Sequence, residues 1–165
     1  MKFDQFEFLA RKTFGRFAED KPETRFADVR PERLPPLVLA YIGDAVFNLY
    51  VRNRLLSFEQ SHVRILHNHG AKMVSATLQA YALRQIEQEL TQAELDIIRR
   101  GRNAKSSVPK SASVGDYRSS TGFEALLGFL FLSGNQERVN DISERCFAII
   151  SRKLTNIDEN KDDKK

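Results

Sequence analysis

The sequence predicts an all-α fold, and three observations predict it. Apolar residues recur at three- and four-residue spacings over most of the chain. No segment shows the strict apolar–polar alternation of a half-buried strand. The breaks between periodic runs carry helix-end chemistry: Thr91-Gln92-Ala93-Glu94 matches a capping box, and Gly101 reads as a helix stop.

In chain order, residues 2–18 place Phe3, Phe6, Phe8, Leu9, Phe14 and Phe17 on one side of a short amphipathic helix, and residues 19–32, with Pro22 and Pro31, form a connector. Around and after Pro35, the residues Leu34, Leu37, Val38, Tyr41, Ile42, Ala45, Val46, Leu49 and Tyr50 form one continuous helical stripe, with proline favoured in the opening turn. A second helical stretch, Ser61 to Gln88, is expected to be broken or bent. A third spans Thr91 to Arg100. Between Gly101 and Ser120 the composition shifts to Gly, Ser, Lys and Arg, which predicts a long loop. Phe123 to Leu132 is apolar almost all round, the mark of a central buried helix, and Ser133-Gly134-Asn135 ends it. A last amphipathic helix covers Glu137 to Leu154, and the polar tail after it is expected to be frayed or disordered.

Bulk properties narrow the function. A chain of 165 residues with 41% hydrophobic and 29% charged residues is long enough for one packed domain. The net charge of +4 suits a polyanionic partner but equally serves solubility. Cys146, the single cysteine, lies in an apolar run and reads as a buried inert thiol, which excludes a disulfide framework. The N-terminus has neither a secretory apolar core nor an acid-poor transit composition, and no stretch reaches the ~20 apolar residues of a membrane span. A cytoplasmic protein is expected.

Three features could carry chemistry. Asp44 lies at the edge of the apolar stripe, where a carboxylate is partly desolvated and needs either a cationic partner or a metal ion. Glu124 stands near the start of the central helix. Thr121-Gly122-Phe123-Glu124 matches a capping box, so it serves either that cap or, with Asp44, a magnesium ion that keeps several waters. Finally, Arg99, Arg100, Arg102, Lys105, Lys110 and Arg118 cluster against the single acidic Asp116, with Asn103 as a neutral donor. That mixture suits phosphates and 2′-hydroxyls, or else a solvated loop. His62, His67 and His69 do not complete a zinc-ligand spacing, and no nucleophile arrangement is present.

Four ordered segments carry a family resemblance. Tyr41-Ile42-Gly43-Asp44-Ala45-Val46 resembles the signature helix of ribonuclease III, and Gly122-Phe123-Glu124-Ala125-Leu126-Leu127-Gly128 its second catalytic helix. Arg99-Arg100-Gly101-Arg102-Asn103-Ala104-Lys105-Ser106 and Tyr117-Arg118-Ser119-Ser120-Thr121-Gly122 resemble the Mini-ribonuclease III group. The resemblance covers Leu34 to Ile150. It implies a helical ribonuclease III catalytic domain over residues 32–154, flanked by an N-terminal helix and connector (1–31) and a polar tail (155–165). The tail is too short for a double-stranded RNA-binding domain, so none is expected there.

The resemblance further implies a two-fold homodimer cutting double-stranded RNA, with Asp44 and Glu124 as metal-binding catalytic carboxylates. Mg2+ is the implied cofactor, with Mn2+ as a substitute. Arg99, Arg100, Arg102, Asn103, Lys105, Lys110 and Arg118 are the implied RNA contacts. The family role is trimming the ends of 23S ribosomal RNA precursor, and an accessory ribosomal protein is left open. Ala40 and Thr121 stand where the larger enzymes carry acids. A rival from another class is a catalytically silent RNA-binding or ribosome-associated module on the same fold, and a third is a helical protein-interaction scaffold. Retention of both carboxylates and the basic loop favours the nuclease.

Overall fold

The computed structural model describes residues 7–8, 29–105 and 112–162, with side chains as far as 155. The chain divides into two compact units, Met1–Arg30 and Pro31–Lys165. In the first, Glu7 and Phe8 are helical, and the rest of the expected N-terminal helix lies outside the described residues. Among the described residues the second holds six helices: α1 (Pro36–Leu55), α2 (Val63–Met73), α3 (Ala76–Ile86), α4 (Gln92–Arg102), α5 (Val114–Leu132) and α6 (Gln136–Asp162). Short 3-10 turns cover Pro31–Arg33 and Glu87–Glu89. Among the described residues there is no strand, and no helix is long and apolar enough to cross a membrane.

Several helix ends follow local chemistry. Pro35 and Pro36 open α1, where a missing N–H costs nothing. The expected break in the second stretch falls at Val74 and Ser75, with Ser75 extended between α2 and α3. Thr91 caps α4 through a complete capping box: the Glu94 N–H donates to Thr91 Oγ1 over 3.3 Å, and the Thr91 N–H donates to Glu94 Oε2 over 2.8 Å. Beyond α5, Gly134 takes the left-handed conformation (φ 74°), and the Asn135 N–H returns to the Leu130 carbonyl over 3.0 Å.

The structure corrects three sequence expectations. The Gly101–Ser120 loop is much shorter, because α4 runs on to Arg102 and α5 begins at Val114. Ser113 supplies the cap, its Oγ accepting from the Asp116 N–H over 3.0 Å. Gly101 is therefore not a stop but a buried position inside α4, and serines within 114–120 are helical because α5 buries them against its neighbours. The last helix continues past Leu154 to Asp162: once a helix exists, extension through a segment lacking Pro and Gly is inexpensive.

α5 is the central element, packed against α1, α3, α4 and α6. Phe123, Ala125, Leu126, Leu127 and Leu130 are buried along it, and the Phe123 ring meets Phe47 of α1 edge-on, with centroids 5.0 Å apart. Two glycine contacts set how closely its neighbours approach. A Cβ on Gly43 of α1 would lie 1.7 Å from the Glu124 carbonyl oxygen, and one on Gly128 would lie 1.9 Å from the Leu39 carbonyl oxygen. On another side a Cβ on Gly101 of α4 would sit 2.8 Å from the Gly122 Cα. Backbone meets backbone at both crossings.

The apolar stripe read in the sequence is not the core face of α1: none of its residues is fully buried, and the helix packs through a neighbouring face instead. Leu39, Ala40, Gly43, Phe47 and Val51 are buried, whereas Leu37, Val38, Tyr41 and Leu49 are exposed. Apolar residues thus lie on both sides of the helix, and among the described residues only one side finds partners. Elsewhere Arg138 of α6 clamps the buried Glu94 at the start of α4, with Nε on Oε1 at 2.7 Å and Nη2 on Oε2 at 3.1 Å. Burial pushes the Glu94 carboxyl up, but Arg138 and the Thr91 cap together hold it below the usual glutamate value.

Gly43→Ala and Gly128→Ala should each cost about 3 kcal/mol or more, at or above the upper end of overpacking penalties. Gly70→Ala should be neutral to stabilising, because Gly70 is helical and its added Cβ would meet only the Leu55 side chain at 3.8 Å. Urea midpoints at unchanged slope distinguish the two classes.

Candidate active site

The α1–α5 crossing places two carboxylates side by side. Asp44 follows Gly43, the residue pressed against the Glu124 carbonyl, so the two side chains leave the same contact. Asp44 is exposed, not partly desolvated as its place in the sequence suggested: its flanking apolar neighbours Tyr41 and Ala45 face outward with it. Asn48, one turn on, donates to Asp44 Oδ1 over 2.8 Å and to the Asp44 carbonyl over 3.0 Å, which fixes the carboxylate's orientation. Among the described residues no cation pairs with Asp44, so the ion-pair alternative finds no support there.

Glu124 is the desolvated acid. It lies well inside α5, whose cap is Ser113, so the capping-box alternative is overturned. The Thr121 hydroxyl donates back to the Tyr117 carbonyl over 2.9 Å instead. Burial raises the Glu124 carboxyl to about 8, the Asp44 charge adds to the rise, and the Gln79 amide opposes it. At neutral pH, with no cation bound, this carboxyl holds its proton. Gln79 of α3 approaches Glu124 without closing a full hydrogen bond, and both amide atoms remain unpartnered although the side chain is completely buried. Ala40 and Thr121 are also buried and supply no carboxylate.

Of the implied RNA contacts, Arg99, Arg102 and Asn103 line one surface depression at the end of α4. Arg99 is exposed and lies 3.0 Å from Asp96, and Arg102 lies 3.9 Å from Glu87; such surface pairs are weak and leave the guanidinium groups available to an anion. Asn103 caps the end of α4, with Lys105 exposed just beyond, and Arg118 is exposed on the first half of α5. Arg100 differs: its guanidinium donates to the Leu34 and Glu32 carbonyls, over 3.0 and 3.4 Å, tying α4 to the segment before α1. Lys110 lies outside the described residues. Among the described residues, none of these side chains bonds to Asp44 or Glu124.

The remaining candidates lead elsewhere. His62, His67 and His69 are exposed, and no group of three or more His, Cys, Asp or Glu suited to a metal occurs among the described residues. Burial pushes the Cys146 thiol up to about 12, against the opposing charge of Arg145, which makes it inert. Gln79 was missed by sequence reasoning. A polar residue one turn before Leu83, on the core face of an otherwise apolar helix, was the signal that could have found it.

The raised Glu124 carboxyl gives stability a definite pH dependence. The folded state keeps a proton that the unfolded chain releases near 4.5, so this group disfavours folding progressively as pH rises from 4.5 towards 8, and fully above it. Glu124→Gln should therefore raise the melting temperature by several degrees at pH 8.5 in chelator, and by much less at pH 5; equal shifts at both would exclude this account.

Comparisons with known proteins place the chain in a family. The Ribonuclease III domain family matches residues 37–135, the span from α1 through α5. The chain is 47% identical over 125 residues to Mini-ribonuclease 3 of Symbiobacterium thermophilum, an alignment covering 74% of this chain and 95% of that protein. It is 47% identical over 118 residues to Mini-ribonuclease 3 of a Thermoanaerobacter species (71% and 83%) and 42% identical over 123 residues to that of Staphylococcus aureus (73% and 92%). A crystal structure of a Fusobacterium nucleatum protein superposes with a TM-score of 0.63 at 28% identity, covering 68% of this chain and 90% of that one. An all-helical fold among the described residues, a family match from α1 through α5 and identity of up to 47% over most of the chain agree, and the chain belongs to the ribonuclease III family as an endoribonuclease of the Mini-ribonuclease III type.

Proposed function

We propose that the chain hydrolyses double-stranded RNA in a reaction that depends on a divalent cation held by Asp44 and Glu124. The observation that carries this reading is the pairing itself: two acids converge from different helices, one of them half-buried and without a cationic partner among the described residues. The donors fit Mg2+, with Mn2+ as a substitute, because both are hard oxygens, and two carboxylates leave most of the coordination shell to water and phosphate. When bound, such a cation activates water and stabilises the charge that develops on the phosphodiester. The chain's own part is to hold the acids: Asn48 orients Asp44, and the Gly43–Gly128 contact fixes Glu124 beside it.

Arg99, Arg102, Asn103, Lys105, Lys110 and Arg118 are proposed as the duplex contacts, with Arg100 contributing through whichever donors its carbonyl bonds leave free. The proposed physiological substrate is the 23S ribosomal RNA precursor, with cytoplasmic location following from it and an accessory ribosomal protein as an optional partner. This substrate rests on family resemblance.

The exposed face of α1 supports a homodimer. Val38, Tyr41, Ile42, Ala45 and Leu49 form an apolar surface continued by Phe131 of α5, with Tyr41 77% and Leu49 62% exposed. A contiguous patch of this kind needs covering, and a second copy related by a two-fold axis meets it with the same patch. Each site could then cut one strand of a duplex.

Cleavage of a long RNA duplex with and without Mg2+ tests the chemistry. The wild type should cut only with the cation, and folded Asp44→Asn and Glu124→Gln variants should lose at least about two orders of magnitude in rate, as expected when groups that act in the transition state are removed. A folded wild type that binds duplex but never cuts would favour the silent module. Sedimentation tests the dimer: Tyr41→Glu and Leu49→Asp should yield folded monomers, and unchanged dimers would place the interface elsewhere.

A further inference from the structure

Gln79 has no partner that explains its position. It is 0% exposed, neither amide atom is hydrogen-bonded, and the other buried residues of α3 (Leu78, Ala80, Ala82, Leu83 and Ile86) are all apolar or lack polar side-chain atoms. A methionine would fill the same volume and leave no polar group unmet, so stability does not account for an amide here. What lies beside the amide is the Glu124 carboxyl, whose charged form it favours. No other hydrogen-bond donor among the described residues reaches that carboxyl.

We propose that Gln79 is a positioning residue for the cation-holding carboxylate: its Nε2 donates to one oxygen of ionised Glu124 and so turns the other oxygen toward Asp44 and the cation. The inference rests on the reading of Asp44 and Glu124 as cation ligands. A neutral donor suits the task. A lysine or arginine at this place would pair with the carboxylate and compete with the cation, whereas an amide orients it without neutralising it. Glutamine also cannot lose its donor through titration. The rigid α3–α5 packing that buries Gln79 supplies what Glu124 lacks, since a glutamate side chain with three rotatable bonds has no other bond to hold it.

The test uses the full chain with Mn2+ as probe and no RNA, following Mn2+ binding by electron paramagnetic resonance in wild type, Gln79→Met, Gln79→Ala and Asp44→Asn. Melting temperature, kcat and KM on an RNA duplex at saturating Mg2+ are measured beside it. Gln79→Met should melt no lower than wild type, weaken Mn2+ binding about tenfold, as removal of a partner to a metal ligand does, and lower kcat with KM for the duplex within about twofold. Mn2+ affinity and kcat both unchanged in folded Gln79→Met would overturn the proposal. Should Met disturb the packing, Gln79→Ala decides by the same two readouts, and wild-type affinity there overturns it. If Asp44→Asn binds Mn2+ as well as wild type, the cation reading itself fails. If Asp44→Asn loses binding while both Gln79 variants keep it, only the positioning role fails.

Discussion

The pairing of Asp44 and Glu124 depends on the crossing of α1 and α5 at Gly43 and Gly128, where the two backbones touch. Any side chain at either position would collide with main-chain atoms of the other helix, which cannot swing aside as a flexible side chain can. The contact therefore sets the separation of the two helices. Because Asp44 adjoins one glycine and the carbonyl of Glu124 touches the other helix, it also brings the two acids together. The second crossing, Gly101 on Gly122, holds α4 against α5 in the same way and places the basic end of α4 relative to the helix that carries Glu124.

The two shielded glutamates show opposite answers to one electrostatic problem. Glu94 is buried opposite Arg138, and its carboxylate is satisfied by three donors: two from the guanidinium and one from its own helix cap. It joins α4 to α6 and serves the structure. Glu124 is shielded opposite another acid and a neutral amide, with no cation supplied by the described residues. Its environment raises its proton affinity, the opposite of what a structural ion pair does. Such an unmet site is costly to keep, which marks Glu124 and not Glu94 as the candidate for chemistry.

Much of this was legible in the sequence, for reasons that can be located. Glycine followed by aspartate within an apolar helical run marked α1, and the near-continuous apolar run from Phe123 marked the buried helix because few surface helices lack a polar face. The capping box at Thr91 was read correctly because its chemistry is local. The same reasoning failed at Thr121-Glu124, where an identical pattern falls inside a helix that starts earlier at Ser113. It also failed at Gly101: only the position of Gly122 on another helix reveals that this glycine serves packing. Which acid is exposed was beyond periodicity too, because α1 is apolar on both faces and the wheel does not say which one meets α5.

Glu124 and Asp44 come from distant parts of the catalytic domain's sequence, which governs when the site can form during synthesis. α1 is made long before α5, and the contact between them is among the longest-range pairings in the chain. The intervening helices α2, α3 and α4 can form from local interactions without bringing the two acids together. A growing polypeptide thus cannot bring Asp44 and Glu124 together until α5 has been made and has docked on α1.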